Sequence, residues 1–243
     1  MITHADCIDY LKTIPSNSID FVLTDPPYFQ IMKNDWDNQW KDEADYLQWC
    51  RQWTDECVRV LKPNRCLAVW GTTKTDTFLR YKLDVLNQQA LRYQNWIIWA
   101  YDWGGRRKDT FPRKHEDLLL YSKGKTFLFN ADAIRVPYKM AKNVRATAKN
   151  NPLGKIPTDV WTKNNHTTSK EYCAWHPTQK PLELLERLIK AYTNPGDTVL
   201  DIFSGSGSTA IACDRTNRLF MGCEKDLAYY TKSVKRRKEA LKW

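Results

Sequence analysis

Two stretches of this chain carry side chains whose types and spacing suit chemistry on a nucleoside. The first is Asp25, Pro26, Pro27 and Tyr28, directly after the apolar run Ile19, Asp20, Phe21, Val22 and Leu23. Two consecutive prolines fix the backbone and remove two N–H donors. The Asp25 carboxylate and the Pro26 carbonyl can then face one point as a pair of acceptors. An exocyclic NH2 group offers two matching donors. Accepting from that nitrogen keeps its lone pair out of ring conjugation and aims it at an electrophile. Tyr28 offers a flat face on which an extruded base can stack, and Phe29 would extend the same wall. Taken alone, the four residues read equally well as a rigid turn with an incidental aromatic.

The second stretch is Asp201, Ile202, Phe203, Ser204, Gly205, Ser206, Gly207, Ser208 and Thr209, between a strand-like run and a helix-like run. Small residues let a ligand approach the backbone, and a helix N-terminus favours negative groups. The spacing is not that of a dinucleotide loop, because Thr209 and Ala210 follow Gly207. Asp201 would repel a pyrophosphate but suits an ammonium group. Glu224, at the end of the next strand, suits ribose hydroxyls. The pair implies a nucleoside with a positive group and no phosphates, which fits S-adenosylmethionine. Without Glu224 the loop would read as an ordinary strand-to-helix turn.

The elements that must position these groups follow from periodicity. Residues 45–61 place Tyr46, Trp49, Cys50, Trp53, Cys57, Val60 and Leu61 on one helical face, and Lys62, Pro63 and Asn64 end that helix. Residues 66–70 read as a strand, 78–91 as a helix, and 95–101 and 117–121 as an antiparallel pair across Gly104 and Gly105. Residues 182–192 read as a helix, 197–202 as a strand, 209–214 as a helix, 218–224 as a strand and 227–242 as a basic final helix. This alternation predicts an α/β fold with a mostly parallel sheet covered on both faces. Residues 130–173 show no persistent period and carry Lys139, Lys142, Arg145, Lys149, Lys155, Lys163 and Lys170, which reads as an inserted functional segment.

Bulk properties narrow the classes. The 243 residues allow one large domain or two small ones. No apolar run is long enough to cross a membrane, and the first residues do not read as a signal peptide. Seven cysteines without a C-x-x-C pair argue against a disulfide framework or a zinc site. Reduced thiols in a cytoplasmic setting are expected, with Cys57, Cys66 and Cys213 buried. A net charge of +10 points to a polyanionic partner. Trp103, Arg106, Arg107 and Lys108 form a basic loop suited to phosphates, or simply an exposed hairpin tip. The basic cluster of residues 232–242 reads as a solvated helix face.

Together these residues resemble the DNA amino-methyltransferases, specifically the group whose catalytic motif precedes its cofactor motif. Thr24 to Phe29 look like the catalytic motif, Asp201 to Thr209 like the cofactor loop, and Gly222 with Glu224 like the ribose-binding strand end. His176, Pro177, Thr178, Gln179, Lys180 and Pro181 resemble the segment that cups the methionine end of the cofactor. His4, Ala5, Asp6 and Cys7 resemble the contact to its adenine ring, and Arg113 to Asp117, including His115, a segment near the target-base pocket. One departure is Arg65, where the family usually has Gly.

The resemblance implies a circularly permuted Rossmann-like fold with the chain ends between the second and third strands of the unpermuted order. It implies one catalytic domain over 1–243, with target recognition in 130–173. It also implies S-adenosylmethionine as cofactor, no metal, a duplex DNA substrate whose base is flipped, and a prokaryotic or phage source; dimers are common in the family. N6 of adenine is the expected acceptor, since Asp rather than Ser opens the catalytic motif. N4 of cytosine, an RNA base or a protein glutamine, and a catalytically silent DNA-binding subunit remain open. Lys180 would reach the cofactor carboxylate or the DNA. His176 needs no general-base role, because an amine attacking a sulfonium can lose its proton afterwards.

Overall fold

The computed structural model describes residues 1–33, 35–103, 106–138, 151–162 and 170–242. The elements are β1 (Ile2–His4), α1 (Cys7–Lys12), β2 (Ile19–Thr24), α2 (Glu43–Val60), β3 (Leu61–Gly71), α3 (Thr77–Arg80), β4 (Arg92–Ala100), β5 (His115–Ser122), β6 (Val160–Thr162), α4 (Leu182–Tyr192), β7 (Thr198–Asp201), α5 (Ser208–Arg215), β8 (Leu219–Glu224) and α6 (Leu227–Ala240). The strands form one sheet in the order β1-β8-β7-β2-β3-β5-β4-β6. It is parallel from β1 to β3, and β5 runs antiparallel to both β3 and β4.

Both faces of the sheet are covered, which is why β2 is buried along its whole length. Phe21 and Leu23 join a core with α4 and α5, while Ile19 and Val22 join one with α1 and α2. From β2 the chain passes through α2 to β3 on one side. From β7 it passes through α5 to β8 on the other. The order reverses between β2 and β7, and a crevice opens outside their carboxyl ends.

Counting from β7, the first strand is followed by β8 and then by β1, which pairs with β8 in parallel. The chain ends therefore fall between the second and third strands, as the resemblance implied. The expected hairpin is present in β4 and β5; its tip residues Gly104 and Gly105 lie outside the described residues.

Two local expectations need correction. Residues 78–91 do not form one α-helix. After α3 the chain widens to a π turn over Tyr81–Val85 and tightens to a 3-10 turn over Leu86–Gln88. The change brings Tyr81, Val85 and Leu86 all into the core, where the Tyr81 hydroxyl meets Thr54 at 2.9 Å. α2 ends at Val60, ahead of Lys62 to Asn64, which lie inside β3; that strand begins at once and bulges. Pairing with β2 jumps from Ile19–Leu61 to Phe21–Cys66, and Asn64 takes a left-handed φ of 58°. Arg65, the departure from the family pattern, is the cation between Asp20 and Asp197, at 3.0 Å from each.

The irregular stretch is not wholly without structure. It holds a 3-10 turn at Ala131–Ile134 and the edge strand β6, parallel to β4. Lys139, Lys142, Arg145, Lys149 and Lys163 lie outside the described residues. All seven cysteines are buried and free, and burial pushes the Cys66 thiol up to about 12. No helix among the described residues is long and apolar enough to cross a membrane.

Candidate active site

Strands β2 and β7 bring the two chemistry-bearing stretches to one crevice, because they are paired neighbours running the same way. Thr24 Oγ1 donates to Asp201 Oδ1 at 2.9 Å, joining the residue before the Asp25 turn to the start of the glycine loop. The cavity between them measures about 1570 Å³. A drug-sized ligand occupies roughly 300–1,000 Å³, so two ligands fit side by side.

On the loop side, Gly205 and Gly207 take left-handed φ angles of 47° and 76°. The His176 ring lies directly against Gly205, where an added Cβ would sit 2.6 Å from Nε2. The loop closes on Glu224, whose Oε2 accepts from the Gly205 N–H at 2.8 Å and whose Oε1 accepts from the Asp226 N–H at 2.9 Å. Burial raises the Glu224 carboxyl above its ordinary range. Asp201, Phe203, Ser204, Gly205, Ser208, Thr209, Thr178, Asp6 and Cys7 all line the cavity, and Gly207 opens α5 behind them. Asp6 caps α1 through the Ile8 N–H at 3.0 Å and faces Lys225 at 3.2 Å.

The structure gives Asp201 a different task from the one expected. Its carboxylate accepts from Thr24, from the Phe203 N–H at 3.1 Å and from Thr209 Oγ1 at 2.6 Å. A carboxylate offers about four acceptor positions; three are taken by these donors, so Asp201 mainly braces the loop. Burial raises its carboxyl to about 6 despite the three donors.

These residues fit S-adenosylmethionine. The His176–Gly205 contact leaves a backbone cradle that any side chain would fill. The His176 Nδ1 atom is buried without a partner among the described residues. Burial also lowers the imidazole to about 4, so it stays neutral beside a cation. Glu224 keeps acceptor capacity for hydroxyls beyond its two backbone donors.

On the other side stands the Asp25 turn. Asp25 Oδ1 accepts from the Tyr28 hydroxyl at 2.6 Å, and Oδ2 accepts from Lys180. Tyr46 donates to the Pro27 carbonyl at 3.0 Å. Among the described residues nothing donates to the Pro26 carbonyl. The Tyr28 N–H donates to buried Asp37 at 2.8 Å, which anchors the turn from behind.

Two further expectations are corrected. Lys180, expected at the cofactor carboxylate or the DNA, is taken up by two carboxylates of the base side. It is only 5% exposed and sits between Asp25 and Glu116, 3.0 Å from the latter. Burial works against its charge, but the two carboxylates overcome that and hold the ammonium above its ordinary range. Phe29 is not part of the base wall. It turns away to pack on Tyr46 at 5.6 Å in the α2 cluster, while Tyr28 faces the cavity.

Arg106, Arg107 and His115 line the cavity mouth; Lys108 is exposed but does not line it. Sequence reasoning missed Glu116 as a site residue and Asp37 altogether. The signal for Glu116 was present: three titratable residues, His115 to Asp117, open an otherwise apolar strand. Trp36, Trp175 and Tyr229 were also missed; they form a contiguous aromatic wall over the cofactor side, with ring centroids 5.5 and 6.1 Å apart. No cluster of three metal-ligating side chains occurs among the described residues.

A proline-stiffened acceptor turn facing a nucleoside loop across the switch point of a permuted sheet defines an S-adenosylmethionine-dependent methyltransferase of amino groups. The chain belongs to the N6/N4 DNA methylase family, whose family model, described as DNA methylase, matches residues 19–235. It is similar to the type II methyltransferase M.HpaI of Haemophilus parainfluenzae, at 35% identity over 93% of this chain and 70% of that one. It is 31% identical to the type II methyltransferase M1.MboII of Moraxella bovis, over 94% of this chain and 92% of that one. It is 34% identical to the DNA adenine methyltransferase YhdJ of Escherichia coli K12, over 97% and 81%. Among solved structures, the M1.HpyAVI complex with S-adenosylmethionine superposes with a TM-score of 0.67 at 25% identity, covering 97% of this chain and 98% of that one. The PvuII methyltransferase, cytosine-N4-specific, shares the fold with a TM-score of 0.76 at 18% identity over 99% and 89%.

Proposed function

We propose that this chain transfers a methyl group to N6 of adenine in duplex DNA, acting on a base flipped into the Asp25 side of the cavity. The observation that carries the reading is the Thr24–Asp201 bond, which fixes the acceptor turn and the cofactor loop against the same space. Bound S-adenosylmethionine supplies the methyl group as an electrophile. It would be held by Glu224, His176, Phe203, Asp6, Cys7, Thr178 and the backbone of residues 204–209.

The protein's own part is placement. The amino group donates to the Pro26 carbonyl and to Asp25 Oδ1, where it replaces the Tyr28 hydroxyl. Tyr28 then turns its ring to the base. Lys180 holds the other carboxylate oxygen in place. With both amino hydrogens engaged, the nitrogen lone pair points toward the loop. Orientation of this kind is worth roughly 7–11 kcal/mol. After transfer the surplus proton leaves the nitrogen toward Asp25 Oδ1. Arg106, Arg107 and Lys108 contact phosphates, and 130–173 reads the sequence within a single catalytic domain.

Asp at the head of the turn and the 34% identity to an adenine methyltransferase both favour adenine over cytosine. Modification-detecting sequencing and nucleoside mass spectrometry of DNA from a host expressing the chain test the reading. N6-methyladenine at a fixed sequence is expected. N4-methylcytosine would replace adenine as the acceptor, and no methylated base in DNA would overturn the proposal.

A further inference from the structure

A base taken out of a duplex leaves a gap in the stack, and its partner loses its pair. Proteins that distort duplexes often fill such gaps with an apolar side chain inserted between base steps. Among the described residues, the most exposed large apolar side chain is Phe111, at 95%. It stands on the rim of the cavity that Tyr28 and Asp25 line, in the loop between β4 and β5.

Its surroundings distinguish it from an incidental surface phenylalanine. Exposed Arg106, Arg107 and Arg113 share the same rim. An apolar ring on the same rim as guanidinium groups suits a duplex, where phosphates flank stacked bases. Pro112 follows at once, and the residue before a proline is held in extended backbone, so the ring is presented stiffly. Trp103, the other aromatic of this loop, is already engaged: it stacks on Tyr101 at 4.6 Å. The next most exposed apolar residues among the described ones, Met1, Leu153, Leu219, Leu227 and Leu241, do not line the cavity.

We infer that Phe111 enters the duplex at the target position and fills the space left by the flipped base, while the arginines around it hold the flanking phosphates. The inference rests on the reading above of a flipped base in duplex DNA. Phe111 touches the DNA stack and not the reacting atoms; it stabilises the extruded state.

The test compares two duplexes carrying the recognition sequence. In one the target adenine is paired normally; in the other it faces a mismatched base and is already loosened. F111A should lower kcat/KM on the matched duplex about tenfold or more and on the mismatched duplex far less. F111W should recover most of the loss on the matched duplex, because a larger ring still stacks. With 2-aminopurine at the target position, the fluorescence rise on binding should shrink in F111A, while calorimetric affinity for S-adenosylmethionine stays as in the wild type. Equal losses on both duplexes, or none, would overturn the inference. So would a change in oligomeric state by sedimentation with no duplex dependence, which would make this rim a contact between copies of the chain. Failure of the wild type to methylate any duplex is a separate outcome, and it overturns the underlying reading without any variant.

Discussion

The two sides of the cavity are built from different bonds. On the cofactor side, Asp201 and Glu224 are braced by Thr24, Thr209 and the backbone N–H groups of Phe203, Gly205 and Asp226. These bonds all lie within the folded chain, and the loop they hold is already shaped for a nucleoside. On the base side the geometry depends on charge. Lys180 stands between two carboxylates, and Asp25 is engaged by Tyr28 through a bond that an incoming amino group must replace. The comparison teaches that one ligand meets a preformed site, whereas the other must remodel its site on entry. Removing a base-side group should therefore change rate, and removing a loop-side group should change cofactor affinity.

The largest effect tests that division. D25A should lower methyl transfer by at least about 100- to 1000-fold, the size seen when a transition-state hydrogen-bonding group is lost, with cofactor affinity nearly unchanged. Methyl-transfer rates from labelled cofactor, set beside calorimetry, check both halves. A variant that transfers methyl groups at close to the normal rate would remove Asp25 from the mechanism.

Next comes the ionic triad. Lys180 is almost fully enclosed, and its side chain leaves Asp25 and Glu116 only about a fifth exposed. K180M removes the cation and leaves two facing carboxylates, which should cost about 3–5 kcal/mol of stability. Adding E116Q to K180M should return part of that, since one of the repelling charges is gone. Urea unfolding of the two single variants and the double variant gives the coupling. If E116Q costs the same with and without Lys180, the triad is not the base-side scaffold.

The contrast also explains what could be read from the chain beforehand. The cofactor side was legible because the loop, the helix it opens and Glu224 follow one another along the chain; the Thr24–Asp201 bond, 177 residues apart in sequence, was not. The strands β2, β5, β7 and β8 and the helix α4 were legible for the same reason, from unbroken apolar or helical periods. The base side was only half legible. Asp25 and Tyr28 stand in one tetrapeptide, but the partner of Asp25 is 155 residues away at Lys180, and a lysine before a proline looks solvated. Phe29 misled because alternate side chains of a turn face opposite ways, and only packing shows that α2 claims it. The π turn at Tyr81–Val85 is also a product of packing, which overrode a plain helical pattern.

A smaller effect probes the cofactor side alone by pH. Burial raises the Asp201 carboxyl from 3.8 to about 6, a difference of about 3 kcal/mol. A raised acid favours the folded state only while protonated. Its contribution is complete below pH 3.8 and is lost as pH rises through about 6. Burial lowers His176 from 6.5 to about 4, which acts in the opposite sense: that contribution is complete above pH 6.5 and fades as pH falls toward 4. In D201N the first dependence should vanish and the second remain. Denaturant midpoints between pH 4 and 7 should therefore rise with pH more steeply in D201N than in the wild type. Parallel profiles would mean that the three donors offset burial in full and that the Asp201 carboxyl is not raised in the folded protein.

The smallest effect concerns the two glycines of the loop, which share a left-handed backbone but differ in their neighbours. An alanine at either position meets strain of roughly 1–2 kcal/mol. At Gly205 the new Cβ also meets the His176 ring at 2.6 Å, whereas at Gly207 its nearest contact is the Ser233 Cβ at 3.2 Å. G205A should push the imidazole into the nucleoside cradle and weaken S-adenosylmethionine binding about tenfold, the equivalent of 1.4 kcal/mol. G207A should weaken it less, since its strain falls on the start of α5 behind the cradle. Combining G205A with H176A removes the clash together with a cradle residue, so affinity should stay below that of the wild type even with the steric part relieved. Calorimetric titration of the three variants with the cofactor alone decides the matter. Equal affinities for G205A and G207A would show that His176 does not shape the cradle, and that the preformed character of this side comes from the backbone and the Asp201 brace alone.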